Sequence, residues 1–448
     1  MKRIGRLLAL LLLLAFPLAA LAAPADNACL ERAGASLDAL VRGRFADVEA
    51  HFSTKMAGEL PAAKLDEVWQ RVTAMLGVYR SHGAPQRRPV QGQLAVVAPV
   101  QFARGSLDFV TACDASDKLT GFFLLNPDVV ESATPVAAHV LAHGARVEPL
   151  SVPSPAGPLR GALTLPAGKG PFPAVVLVQG SGSHDLDETV GPNKPYRDIA
   201  DGLATDGIAT LRYDKRTFDH AALAAANPDF TIDDEVTDDA LTALRLLATQ
   251  PNIDPHRVFV LGHSLGGQMA PRIAKRDPGL AGVIMLAAPA RPLLTVMSEQ
   301  AREVGPRQGM DRQNIETQIH ANRAEQALLA KADPKHPPTG TFEGIPQSYW
   351  LSLHDYDQVA VAKSLSVPML ILQGGGDFQV SPTQDFDAWK KALAGKTNVT
   401  FRLFPGLGHL FTPAGKTDTL ADYDAPAHVD PKVIADIAHW IKAQPAAQ

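Results

Sequence analysis

The sequence predicts a mainly parallel α/β sheet covered by helices on both faces, preceded by a small α+β domain. Three observations lead there. From residue 149 onward, buried-strand patterns alternate with helical ones. Before that point two helical patterns come first and strands follow. The chain has 448 residues, more than one core usually supports, which favours two domains.

Hydrophobic residues make up 46% and charged residues 20%, values of a folded globular chain rather than a disordered one. Lys and Arg number 42 against 47 Asp and Glu, a net charge of -5, with neither sign massed in one stretch. That excludes the electrostatic footprint of a nucleic-acid binder and leaves a small-molecule or peptide-like substrate as the expected partner.

Residues 1–22 have the layout of a secretory signal peptide: Lys2, Arg3 and Arg6, an apolar run over 7–14, then small residues. Ala20-Leu21-Ala22 fits the small-x-small rule, so cleavage is expected after Ala22 and the mature chain at Ala23, periplasmic or secreted. A retained membrane anchor is the competing reading. The run is short for a span and no second one follows, so no stable membrane insertion is expected after cleavage.

The first domain is expected over 23–126. Apolar residues recur at helical spacing over 26–45 (Leu30, Ala33, Leu37, Leu40, Val41) and over 62–76 (Leu65, Val68, Trp69, Val72, Leu76). After a breaker-rich stretch at 81–89, strands are expected at 94–103, 107–113 and 119–125, forming an antiparallel sheet. Cys29 and Cys113, the only cysteines, are either one disulfide or two buried thiols, and too few for zinc.

A connector is expected over 127–148 and the second domain over 149–448. Its buried strands are read at 174–178, 208–213, 258–261, 282–286, 369–372 and 399–403, with helices between most of them. The stretch 290–359 breaks the rhythm, being helix-prone over 311–331 and then rich in Pro and Gly. It reads as a lid inserted between two sheet strands.

The chemistry sits at the ends of these strands. Val258-Phe259-Val260-Leu261 feeds Gly262-His263-Ser264-Leu265-Gly266, a strand running into G-x-S-x-G, with a helical pattern after it. Glycines flank the serine because the turn is sharp, and the turn lifts Ser264 Oγ above the sheet edge. A hydroxyl is a weak nucleophile, so a histidine must take its proton and a carboxylate must hold that ring in the right tautomer. Asp377 follows the strand over 369–372, with Asp385 and Asp387 as fallbacks. His409 follows the last strand, with His428 and His439 as fallbacks. The oxyanion needs two backbone donors: the N–H of Leu265, directly after the nucleophile, and that of Ser181 in the loop Gln179-Gly180-Ser181-Gly182.

With these residues in place, the portion from about residue 149 resembles the α/β-hydrolase superfamily, and more narrowly exported bacterial hydrolases of the serine aminopeptidase and dienelactone hydrolase-like groups. The marks are Gly180-Ser181-Gly182-Ser183-His184-Asp185, Arg212-Tyr213-Asp214-Lys215-Arg216, the elbow around Ser264, Asp377 and His409. One departure is Gln179, where such chains usually carry His before the oxyanion glycine. The first domain, through Phe45, Phe52, Trp69, Leu76-Gly77 and Gly121-Phe122-Phe123, resembles an uncharacterised domain found ahead of such hydrolases. The resemblance implies a curved sheet cradled by helices, loosely like nuclear transport factors, which shapes the substrate entrance, mediates a homodimer or serves as a solubilising appendage.

Asp185, Asp187, Glu188, Tyr213, Asp214 and Arg216 border the expected site, where they either bind a polar substrate group or pin the loops by pairing. Tyr349, Trp350 and Tyr356, at the end of the lid, offer a substrate-binding apolar wall, with core packing as the alternative. The expectation is a serine hydrolase acting on carboxylic esters through an acyl-enzyme, with no cofactor and no metal. Its rivals are a peptidase or amidase on the same machinery and a non-catalytic envelope binding protein that keeps the fold.

Overall fold

The computed structural model describes residues 28–90, 93–103, 105–125, 136–333 and 338–447. The expected signal peptide, 1–22, lies outside the described residues, as does the first part of the connector. The chain divides into two compact units, Met1–Thr134 and Pro135–Gln448.

The first unit opens with helices Ala28–Val41, Phe45–Glu49, Thr54–Glu59 and Ala62–Leu76. Strands β1 (Tyr79–His82), β2 (Gln86–Val90), β3 (Gln93–Phe102), β4 (Ser106–Thr111) and β5 (Phe123–Leu125) then form an antiparallel sheet. The stretch expected to break structure at 81–89 therefore carries half of β1 and most of β2. Alternation along β3 divides its side chains: Val96, Ala98 and Val100 join Leu37, Leu40 and Leu65 of the helices, while Val97 packs with Val90 and Val110 on the other face. Cys29 and Cys113 are joined, with Cα atoms 6.0 Å apart, so the disulfide alternative holds.

The second unit is built on nine strands: β6 (His139–Val140), β7 (Arg146–Pro149), β8 (Gly161–Leu165), β9 (Phe172–Val178), β10 (Ala209–Tyr213), β11 (Ile253–His263), β12 (Gly282–Leu286), β15 (Met369–Gly374) and β16 (Val399–Phe404). Two short strands, β13 (Thr341–Phe342) and β14 (Ile345–Pro346), pair with each other outside it. The spatial order is β16-β15-β12-β11-β9-β10-β8-β7-β6. From β16 to β10 every pairing is parallel, and β8, β7 and β6 close one side antiparallel. All six expected strands are present. The connector is corrected: where described, residues 136–148 include β6 and most of β7, whose ladder hydrogen bonds make them part of this sheet.

Both faces of the sheet are buried. Ala174, Val176 and Val178 of β9 point into a core covered by helices Asp238–Ala248 and Leu265–Arg276, whereas Val175 and Leu177 meet helices Pro195–Thr205 and Pro431–Ala443. The insertion between β12 and β15 runs over 287–368, longer at both ends than the 290–359 expected. It holds helices Leu293–Glu303, Arg312–Leu329, Gln347–His354 and Gln358–Ser364, the last packed on Leu265–Arg276.

Candidate active site

Parallel strands deliver their carboxyl ends to one rim, and the site is assembled there. At the end of β11 the chain turns into helix Leu265–Arg276 with Ser264 at φ 52° and ψ -117°, a conformation that residues with side chains rarely adopt. The flanking glycines are sterically required. A Cβ on Gly266 would lie 2.1 Å from the Val178 carbonyl oxygen, and one on Gly262 2.1 Å from that of Gly266. Ser264 is half-buried while its neighbours on both sides are buried.

Asp377 lies just past β15 and His409 past β16. His409 Nδ1 is 2.8 Å from Asp377 Oδ2, and both side chains are interior. Asp377 is itself fixed: Gln373 Nε2 donates to Oδ2 at 2.8 Å, and the N–H groups of Gln379 and Val380 donate to Oδ1 at 2.8 and 2.9 Å. With Nδ1–H directed at the carboxylate, a neutral ring carries its lone pair on Nε2. The fallbacks are committed elsewhere. Asp385 is paired with Arg291, Asp387 with Lys390 and His428 with Asp198, and His439 is on an exposed helix face.

The loop after β9 lies against the turn at Ser264, since a Cβ on Gly180 would be 3.2 Å from Ser264 Cβ. Lys215 Nζ donates to the carbonyl oxygens of Gly180 and Gly182 at 2.7 and 3.0 Å. In a trans peptide, C=O and N–H point opposite ways, so anchoring the Gly180 carbonyl turns the Ser181 N–H away from Lys215. Ser181 is exposed. Leu265 is the first residue of its helix, so its N–H has no acceptor within that helix. Gln179 is interior and donates to the carbonyl oxygens of Tyr213 and Asp185, which ties the loop after β9 to the end of β10.

The charged residues around this rim pair with one another. Asp187 meets Arg212, Arg197 and Lys194; Asp214 takes a two-point contact from Arg160 at 2.6 and 2.9 Å; Arg216 makes another with Asp239 at 2.7 Å. Lys215 is paired with Glu235 at 2.9 Å. These are loop pins, the second of the two expected roles. The expected substrate wall is corrected to core: Tyr349, Trp350 and Tyr356 are 4%, 3% and 5% exposed. Their polar tips are satisfied inside, Tyr349 on Glu235 at 2.7 Å, Trp350 on the Phe342 carbonyl at 2.9 Å and Tyr356 on the Gln268 carbonyl at 3.0 Å. Sequence reasoning assigned no role to Lys215 or His263, though both stand inside motifs that it singled out.

Sheet order, helical cover and inserted lid define an α/β-hydrolase, and the chain is a serine hydrolase. It belongs to the family described as serine aminopeptidase, S33, which matches residues 172–412. It is 35% identical over 394 residues to esterase EstD of Thermotoga maritima, an alignment covering 87% of this chain and 89% of that one. Among solved structures, Est1E of Butyrivibrio proteoclasticus is 17% identical with a TM-score of 0.39, covering 66% of this chain and 96% of that one. An esterase of Pyrococcus furiosus is 13% identical with a TM-score of 0.43, covering 69% and 96%.

Proposed function

We propose that this hydrolase cleaves carboxylic esters of small molecules outside the cytoplasm, with Ser264, His409 and Asp377 as its triad. The observation that carries the reading is the 2.8 Å pair of Asp377 and His409 at the rim where Ser264 emerges from its turn. Ser264 Oγ bonds to the ester carbonyl carbon while His409 Nε2 takes the hydroxyl proton. The N–H groups of Leu265 and Ser181 receive the developing oxyanion. Collapse breaks the bond to the alcohol, which leaves with the proton from His409. Water, deprotonated by His409, then attacks the acyl-enzyme and releases the acid and Ser264. Asp377 keeps the ring oriented and balances its charge.

An ester substrate is favoured by the likeness to a protein named an esterase over most of both chains. The family description favours a second reading, attack on an aminoacyl amide. Export is supported by the signal-like layout of 1–22 and by the disulfide, a bond that persists in oxidising compartments.

A fluorophosphonate probe tests the mechanism, because only an activated serine reacts. The mature chain is expected to be labelled, and Ser264→Ala to lose both labelling and turnover. Labelling that survives in Ser264→Ala, or is missing from the native chain, overturns the triad. Short p-nitrophenyl esters are expected to outperform aminoacyl anilides by 10²-fold or more in kcat/KM; the reverse order selects the peptidase.

A further inference from the structure

One buried titratable pair at the rim has no part in the mechanism above. His263 directly precedes Ser264, and both of its ring nitrogens face acceptors. Nδ1 is 3.0 Å from Oε1 of Glu188, and Nε2 is 3.0 Å from the backbone carbonyl oxygen of His409. A carbonyl oxygen only accepts, so Nε2 carries a proton. Glu188 Oε1 also receives the Gly180 N–H at 2.6 Å. A carboxylate oxygen takes two donors readily, whereas the hydroxyl oxygen of a neutral acid is a poor acceptor. Nδ1 therefore carries a proton as well, and the ring is an imidazolium.

We propose that His263 and Glu188 form a standing buried ion pair that positions both halves of the reaction centre, an inference that rests on the triad reading. Glu188 holds the oxyanion loop through Gly180, and His263 holds the segment of the catalytic base through the His409 carbonyl. Both are positioning residues and neither touches the reacting atoms. Two further features fit. Glu188 stands at φ 51°, a backbone conformation kept only where the surroundings demand it. The His263 and His409 rings lie 4.6 Å apart, so displacement of the first reaches the second directly.

The charges agree with the geometry. Burial opposes a cation on His263, but Glu188, by charge and by hydrogen bond, then the His409 carbonyl and Asp377, outweigh it and raise its pKa. Burial likewise opposes an anion on Glu188, but His263, with His184 and the Gly180 N–H, outweighs it and holds the carboxyl below the usual range. Tyr196 also feels Glu188, but its hydroxyl donates to the Val178 carbonyl at 2.5 Å and its pKa is raised, by burial first, so it stays neutral. The sign follows. A raised value means that His263 keeps its proton, and the anchor holds, until pH climbs through that value.

Glu188→Gln tests this, since the amide still accepts from Gly180 but cannot hold an imidazolium. The expected result is a 10- to 100-fold fall in kcat with KM within threefold, and an alkaline limb of kcat/KM moved down by at least one pH unit. A residue that only filled space would leave that limb in place. On the native chain, nitrogen NMR of labelled histidine, with His263→Gln for assignment, is expected to show both His263 nitrogens protonated at pH 7. This readout needs no activity and no stable variant. A neutral His263 at pH 7 overturns the proposal, as does a Glu188→Gln enzyme with kcat within twofold and an unmoved limb. Native chain that fails to react with the fluorophosphonate condemns the triad instead, while the NMR result still decides the charge state of the pair.

Discussion

Lys215 and Glu235 form an interior ion pair, 2.9 Å apart, whose cation also anchors the loop after β9, where the proposed oxyanion donor Ser181 stands. An ammonium group has three protons to donate, and Lys215 directs them to Glu235, Gly180 and Gly182. The Lys215 side chain is 1% exposed, so water is a poor substitute for any of the three. Replacing Lys215 by Met releases the Gly180 carbonyl and lets the Ser181 N–H drift. Loss of one oxyanion donor typically costs about 10²–10³ in turnover, and a fall of about 10² in kcat is expected here. The companion Lys215→Met/Glu235→Gln removes the stranded carboxylate and is expected to recover stability but not turnover. Steady-state kinetics beside thermal unfolding separates the two; recovery of kcat in the double variant would contradict the anchoring role.

Ser264 occupies backbone space that suits glycine. Holding a side chain there costs of the order of 1–3 kcal/mol, so Ser264→Gly is expected to be more stable than Ser264→Ala by about 1 kcal/mol, both being inactive. Denaturant unfolding of the two variants measures the difference. Equal midpoints would mean that the turn relaxes in solution.

Asp187 predicts an acid limit to stability. Burial alone would raise its pKa, but Arg212, Arg197 and Lys194 together outweigh it and hold the carboxyl below the usual aspartate value. A depressed folded value means stabilisation present above the unfolded value of about 4 and lost as pH falls through the folded one. Asp187→Asn is expected to cost about 3 kcal/mol at pH 7, because it leaves the Arg212 charge buried without its partner. The gap to the native chain should close as pH falls toward 2. Urea unfolding over that range is the check, and a gap that stays constant would show that charge is not its origin.

The legible parts of this molecule are those with a local signature. The core strands β9, β11, β12 and β15 are buried on both faces, so they stand out as short continuous apolar runs between breakers. Ser264 and Asp377 stand just past two such runs, β11 and β15, and His409 stands beyond the partly exposed strand β16, which is why these positions draw attention in the sequence. The strands β1, β2, β6 and β7 are not legible because they are short and carry polar or exposed residues, and β8, though buried, is a five-residue run that opens on a glycine. Pairing is the other illegible property. Glu188 and His263 are 75 residues apart, and Lys215 and Glu235 are 20, so the sequence displays the charges without their partners. Aromatic side chains fill a core or line a pocket with the same composition, so the sequence leaves both readings of Tyr349, Trp350 and Tyr356 open, and their burial favours the core.

The lid leaves and rejoins the sheet at neighbouring strands. β12 and β15 run side by side, Val283 against Met369 through Leu286 against Leu372, so everything over 287–368 hangs from two adjacent stems. Segments rooted that way can lengthen, shrink or be exchanged without moving the strand ends on either side. The inserted helices and the strand ends beneath them are thus free to diverge at separate rates.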